Sequence, residues 1–239
     1  MAHRSHYRSD FLDPCKNCSL GDLAFCSGLP DAELEGLRAI QSCARFDAHE
    51  TLFDEGDAAP YVYTPINGTV KIYKLMADGR RQVTGFLFKG DLFGLSSDGR
   101  YPYTAEAINS VTLCRFPTAK LEQLYPISPV LERMVLQRAL KRIDEFHDQM
   151  LLLGRKSASE KIASFLLALS QRAAERGEAE TPVQVPMSRA DIADYLGLTI
   201  ETVSRTLTKF KSSGLIVLPN AASVALQDPL RLREIADGG

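Results

Sequence analysis

The stretch Met187–Ser213, MSRADIADYLGLTIETVSRTLTKFKSS, governs how the rest of the chain is read. Ser188 can cap a short first helix whose apolar positions, Ile192, Ala193 and Leu196, recur at helical spacing. Gly197 follows, where the chain must turn and a left-handed backbone costs glycine little. Thr199 can then cap a second helix, with Val203, Leu207 and Phe210 along one side. A short helix, a glycine-containing turn and a second helix make a helix-turn-helix. The other side of the second helix carries Glu201, Ser204 and Arg205 near its start, then Lys209 and Lys211. At the head of such a helix, arginine can donate two hydrogen bonds to guanine O6 and N7. Glutamate can accept from cytosine N4, and serine can bond several base edges. On an ordinary solvated helix the same residues would be surface charges, so the flanking sequence has to decide between the two.

Downstream, Leu215–Leu218 and Ser223–Leu226 flank Pro219-Asn220 as a small hairpin, the wing of a winged helix, and residues 227–239 read as a loose tail. Upstream, Val183-Gln184-Val185 is a short strand, and 157–176 a helix opened by a Ser157/Glu160 capping box. Its buried side is Ile162, Phe165, Leu166 and Leu169.

Before that comes a long helix within 118–154, with Pro126 and Pro129 marking its beginning. Leu136, Ile143 and Met150 are seven apart, as are Ala139, Phe146 and Leu153. This a/d seam is flanked by charge and suits pairing between two chains, and packing against the chain's own strands is the other use for it. From Ala44 to Phe116 the pattern changes to short alternating runs with frequent glycine. Asp78-Gly79 is a hairpin signal between two of them, and the segment reads as an all-β roll. Residues 30–40 form a short amphipathic helix on Leu34, Leu37 and Ile40.

The net charge of −2 over 239 residues provides no global attraction for nucleic acid. The second helix of the reading unit is locally positive, so DNA binding would rest on a patch. No apolar run approaches the roughly 20 residues of a membrane span, and the N-terminus lacks the apolar core of a signal peptide. A cytoplasmic location is the expectation, and there five cysteines do not make a disulfide framework. Cys15, Cys18 and Cys26 fall within twelve residues, CKNCSLGDLAFC. Such a thiolate group wants zinc or iron–sulfur. A fourth ligand must come from Cys43 or Cys114, and Cys43 reads as a small buried apolar residue. His3 and His6 sit in a polar tail.

FDEGDAAPYVYTPINGTVKIYKL in the roll, the long helix, and YLGLTIETVSRTLTKFKSSGLI together resemble the CRP/FNR superfamily of bacterial transcription regulators over roughly residues 15–226. The resemblance implies an α+β architecture. A cysteine-rich segment (1–28) precedes a cyclic-nucleotide-binding-like β-roll (29–117). A dimerisation helix (118–155) and a winged helix-turn-helix (156–239) follow. Glu201-x-x-Ser204-Arg205 is similar to the FNR branch, which reads TTGAT-type half-sites in inverted repeat as a homodimer. FNR-type oxygen sensors hold a [4Fe-4S] cluster with three N-terminal cysteines and one in the roll. Cys15, Cys18, Cys26 and Cys114 match those places, although the second spacing is x7 where the enteric form has x5. Cys43 has no counterpart.

In the cyclic-nucleotide branch the roll carries Gly-Glu and then Arg-Ser or Arg-Thr. Here Leu95 stands for the glutamate and Tyr103 for the arginine, so cyclic nucleotide is not expected. RNA polymerase is an expected partner. Arg80 and Arg81 could touch it, or could be plain turn charges. Two rival readings remain at the level of sequence: the same fold with a structural zinc site or no cofactor, and a thiol-redox enzyme using Cys15 and Cys18. No nucleophile–base set or phosphate loop supports a metabolic enzyme.

Overall fold

The computed structural model describes residues 18–239. Elements run α1 (Asp31–Ile40), β1 (Ser42–Phe46), β2 (Thr51–Phe53), β3 (Tyr61–Asn67), β4 (Val70–Leu75), β5 (Arg81–Leu87), β6 (Thr104–Ala107) and β7 (Val111–Pro117). Then come α2 (Thr118–Leu124), α3 (Pro129–Arg155), α4 (Ala158–Glu175), β8 (Val183–Gln184), α5 (Arg189–Leu196), α6 (Ile200–Ser212), β9 (Ile216–Asn220), β10 (Ser223–Leu226) and α7 (Pro229–Ala236). They form two compact units. One takes the chain up to Ile72 and Phe86–Lys141, and the other Tyr73–Gly85 and Arg142–Gly239.

The first unit holds most of the roll. One sheet has the order β1-β7-β3 and the other β2-β6-β4-β5. Alternation puts Val70 and Ile72 of β4, Ala105 and Ala107 of β6, and Val111 and Leu113 of β7 into one buried core. Aromatic rings fill the same interior: Phe53 stacks on Tyr101 at 3.6 Å between centroids. Gly68, at φ +74°, makes the turn from β3 to β4, where a Cβ would stand 2.5 Å from the Ser110 carbonyl oxygen. A second core forms under α1, with Phe25, Leu37, Val62, Phe116, Leu121 and Leu131. Phe25 belongs to the cysteine-rich stretch, is fully buried and meets Phe116 edge to face at 5.1 Å. The described end of that stretch is therefore stitched into the roll by its own apolar residues, Leu20, Ala24 and Phe25.

Pro126 lies in a 3-10 turn and Pro129 opens α3, where proline's missing N–H is no loss. Along α3, Leu136, Leu140, Ile143, Phe146, Met150 and Leu151 are exposed. Ala139 and Leu153 of the expected seam are only half-buried, and the Leu153 methyl lies 3.3 Å from the position a Cβ would take on Gly197. Leu153 thus packs under the helix-turn-helix, and Leu140 and Leu151 are exposed apolar neighbours that the heptad count passed over.

The second unit carries the helix-turn-helix. α4 is opened by the Ser157/Glu160 capping box, and three short strands pair in the order β8-β10-β9. β9 runs through Pro219 and Asn220, so the wing turns at Ala221-Ala222. The Asn220 side-chain oxygen accepts from the Ala222 N–H at 2.8 Å. Residues 227–239 are not a loose tail. Asp228 caps α7 by accepting from the Arg231 N–H at 2.9 Å, Pro229 occupies the first turn, and Leu232 is wholly buried. No helix among the described residues is long and apolar enough to cross a membrane.

Candidate nucleic-acid interface and cysteine cavity

The reading unit is set by local chemistry. Ser188 Oγ accepts from the Asp191 N–H at 3.0 Å, and the Asp191 carboxylate takes the Ser188 N–H at 3.2 Å, which closes a capping box at the head of α5. Gly197 ends α5 at φ 61°, ψ 44°, the left-handed region. The Lys161 ammonium, itself buried, donates to the Leu196 carbonyl at 3.0 Å and so satisfies the last turn. Thr199 then caps α6 through the Thr202 N–H at 3.2 Å.

Val203, Thr206, Leu207 and Phe210 bury one side of α6. Successive residues turn by about 100°, so Glu201, Ser204, Arg205 and Lys209 share the opposite, exposed arc, with Lys211 at its edge beside Ser204. Thr208 and Ser212, which the sequence reading did not single out, complete the arc. The Glu201 carboxyl is held below the usual carboxylate range. Its own backbone N–H contributes most, then the Thr199 hydroxyl, with Arg205 one turn on. A charged acceptor and a guanidinium fork thus sit side by side at the head of a capped helix.

Arg81 is engaged, whereas Arg80 is an exposed turn charge. Arg81 donates to Asp194 at 2.8 Å and Asp191 at 3.0 Å, over the Tyr73 ring. Gln82 donates to the Asp194 carbonyl at 2.6 Å. The β4–β5 hairpin is therefore clamped to α5. Arg80 closes on Asp78 within its own turn at 2.8 Å.

The cysteines meet elsewhere. Cys18, Cys26 and Cys114 line one cavity of about 100 Å³, walled by apolar residues including Leu20, Phe25, Leu37, Ile66 and Phe116, with Arg38 and Thr64. Thr64 Oγ1 is buried there without a hydrogen-bond partner. Burial, and then the neighbouring Cys18, pushes the Cys26 thiol up. Cys15, His3 and His6 lie outside the described residues. Among the described residues no three of His, Cys, Asp and Glu are gathered closely enough to hold one metal ion.

Cys43 corrects the sequence reading. It is a partner of Cys114 rather than a plain core residue. The two stand directly opposite on β1 and β7. The Gln41 side-chain amide donates to Cys43 Sγ at 3.5 Å and to Cys114 Sγ at 3.0 Å. The hydrogen bond with Cys114 brings the Cys43 thiol down to about 7, with burial opposing and Gln41 and Arg115 assisting. Nothing local in the sequence signals this pair, because it depends on strand register.

In the roll, the Tyr103 hydroxyl accepts from the Gly94 N–H at 3.0 Å, and the Tyr101 hydroxyl donates to the Tyr61 carbonyl at 2.9 Å. Arg100 donates to the Gly56 carbonyl at 2.7 Å, at an open loop pocket lined also by Glu55 and Asp98.

Residues 43–127 match the model of the cyclic nucleotide-binding domain, and 160–235 that of the Crp-like helix-turn-helix domain. The chain is 40% identical to the nitrogen fixation regulation protein FixK of Bradyrhizobium diazoefficiens, over 93% of both chains. It is 35% identical to the transcriptional activator protein FnrA of Stutzerimonas stutzeri, over 94% of this chain and 93% of that one. The structure of FixK2 from Bradyrhizobium japonicum superposes with a TM-score of 0.77 at 36% identity, covering 82% of this chain and 97% of that one.

Proposed function

The chain belongs to the CRP/FNR family of regulators, and we propose that it answers to oxygen or redox state through a [4Fe-4S] cluster held by Cys15, Cys18, Cys26 and Cys114. Family membership makes it a DNA-binding transcription regulator and not an enzyme. The observation that carries the finer reading is the cavity onto which Cys18, Cys26 and Cys114 all open. The donors fit the group, since thiolate sulfur is the ligand of iron–sulfur clusters and the walls are apolar. The unpartnered Thr64 hydroxyl leaves a polar atom facing that space.

When bound, such a cluster supplies an iron–sulfur centre that oxygen can destroy. The chain's own residues do the rest. Phe25 and Leu37 anchor the cysteine segment beneath α1. Cys114 fixes one ligand on β7, next to the residues that lead through α2 into α3. The exposed apolar residues of α3 pair two chains. Two copies of α6 then face DNA about one helical turn apart, matching an inverted repeat of TTGAT-type half-sites. Arg205, Glu201 and Ser204 read base edges, while Lys209 and Lys211 answer to phosphate. RNA polymerase is the partner through which a bound dimer would act. Cyclic nucleotide is not the signal in this reading, because Tyr103 occupies the Gly94 amide and aromatic rings fill the roll.

The test is the anaerobic visible absorption spectrum of the purified protein, with iron and sulfide analysis, before and after air. The expected result is a broad band that bleaches in air, with about four irons per chain. A colourless protein after anaerobic reconstitution overturns the cluster and leaves a DNA-binding regulator with another signal.

A further inference from the structure

We propose that Cys43 and Cys114 form a reversible disulfide in the cluster-free protein, an oxidative modification site that withdraws Cys114 from the cavity. Only this consequence for the cavity rests on the cluster reading; the disulfide itself does not.

The two cysteines are directly opposed on antiparallel strands, so their side chains leave the sheet on the same face. Opposed antiparallel residues have Cα atoms about 4.5 or 5.5 Å apart, inside the roughly 4.4–6.8 Å that a disulfide spans. Opposed Cβ atoms stand about 4.5–5.5 Å apart, so the roughly 3.5–4.5 Å of a disulfide asks for only a small approach of the two strands. The Gln41 amide nitrogen lies within 3.5 Å of one sulfur and 3.0 Å of the other, which draws both thiols to one point. Cys43 is half-buried, whereas Cys114 is only 8% exposed. An oxidant from solvent therefore reaches Cys43 first, with Cys114 waiting behind it. Cys114 both lines the cavity and touches Cys43, so one sulfur serves two alternatives.

Hydrogen peroxide supplies the oxidation. The Cys43 sulfur attacks one peroxide oxygen, the O–O bond breaks, and one water leaves as Cys43 becomes a sulfenic acid. The Cys114 sulfur then attacks the Cys43 sulfur, the S–O bond breaks, and a second water leaves. Two thiols lose two electrons, their hydrogens end in the two waters, and peroxide is reduced. A dithiol returns both thiols by exchange.

The experiment treats reduced, cluster-free, full-length protein with hydrogen peroxide under anaerobic conditions, then blocks and counts thiols and maps peptides by mass spectrometry. The expected result is the loss of two thiols, a mass lower by two daltons, and a linked peptide pair containing Cys43 and Cys114 that dithiothreitol separates. Cys43→Ser and Cys43→Ala should both lose that pair. Cys114 joined to Cys15, Cys18 or Cys26 in the wild type, or Cys114 left free while Cys43 passes to higher sulfur acids, overturns the proposal. The wild-type map decides this even if a variant folds poorly.

In a second arm, peroxide-treated wild-type protein is offered iron and sulfide, and should take up less cluster than equally treated Cys43→Ser. If untreated wild-type protein takes up no cluster either, the cluster reading fails while the disulfide stands.

Discussion

Thr199 does two jobs at the head of α6: it caps the helix through the Thr202 N–H, and its hydroxyl helps hold the Glu201 carboxyl in its charged form. Ionised, Glu201 offers only acceptors to the cytosine amine it is proposed to meet, and accepts more strongly than a neutral carboxyl. Its lowered folded-state value extends the range over which it stays charged toward lower pH. The sign follows: a depressed carboxylate favours the fold above the unfolded-state pKa, and that contribution disappears as pH falls through the lower folded-state midpoint. Thr199→Ala should raise the Glu201 midpoint toward the ordinary range, read from its side-chain carboxyl carbon by NMR. It should also cost about 1 kcal/mol of stability as a lost cap. An unmoved midpoint would mean that the backbone N–H and Arg205 set it without the hydroxyl. Arg205 stands one turn along on the same exposed arc, with its fork free to face a groove. Arg205→Ala should cost about 1–3 kcal/mol on a matched half-site and relax preference at the contacted guanine, measured by titrating matched and single-mismatch duplexes. An equal loss on every sequence would instead make Arg205 a phosphate contact.

Among the elements, α5 and α6 were legible because their determinants are local. Caps lie three residues from their targets, Gly197 supplies the left-handed turn, and the apolar stripe has a period of 3.6. α7 carried the same kind of signal in Asp228-Pro229, a cap followed by a first-turn proline, and a short polar-looking end hid it. Other features are invisible at that range. Arg81 finds Asp191 from 110 residues away, and Cys43 meets Cys114 only through the β1–β7 register. Of the cysteine site, the sequence made the ligand types legible, whereas the cavity and the place of Cys43 needed the sheet. The Arg81 clamp is energetically significant because Asp191 is buried and is also the capping-box partner of Ser188. Removing the guanidinium takes one charged donor away from that buried carboxylate. Arg81→Ala should lower unfolding stability by about 1.5–3 kcal/mol in a denaturant titration. Amide exchange in α5 should rise with it. Unchanged exchange there would show that the capping box holds α5 without the hairpin.

For the whole molecule, the exposed apolar residues of α3 pose the question of what covers them. Leu136 is 55% exposed, Ile143 48% and Met150 68%, which in one chain is unprotected apolar surface. They recur every seventh residue along α3, the spacing of a seam between two helices, with Leu140 and Phe146 beside them. In the proposed dimer a second copy of α3 supplies the matching stripe, since a two-fold pair presents the same patch from both sides. Because these side chains support little of one chain's own core, a charge placed among them should leave the fold intact. Ile143→Glu should change unfolding stability of the isolated chain by no more than about 0.5 kcal/mol, as at other exposed sites. It should also shift the protein to monomer in sedimentation. Two recognition helices on one dimer gain from linkage, and unlinking them typically loses 10²–10⁴-fold in overall affinity. Binding of Ile143→Glu to a full inverted repeat should therefore fall by about that factor, whereas binding to a single half-site should hardly change. A variant that still sediments as a dimer would place the partner surface elsewhere. A variant that loses half-site binding in equal measure would mean that α3 acts on the reading unit within one chain and not by pairing.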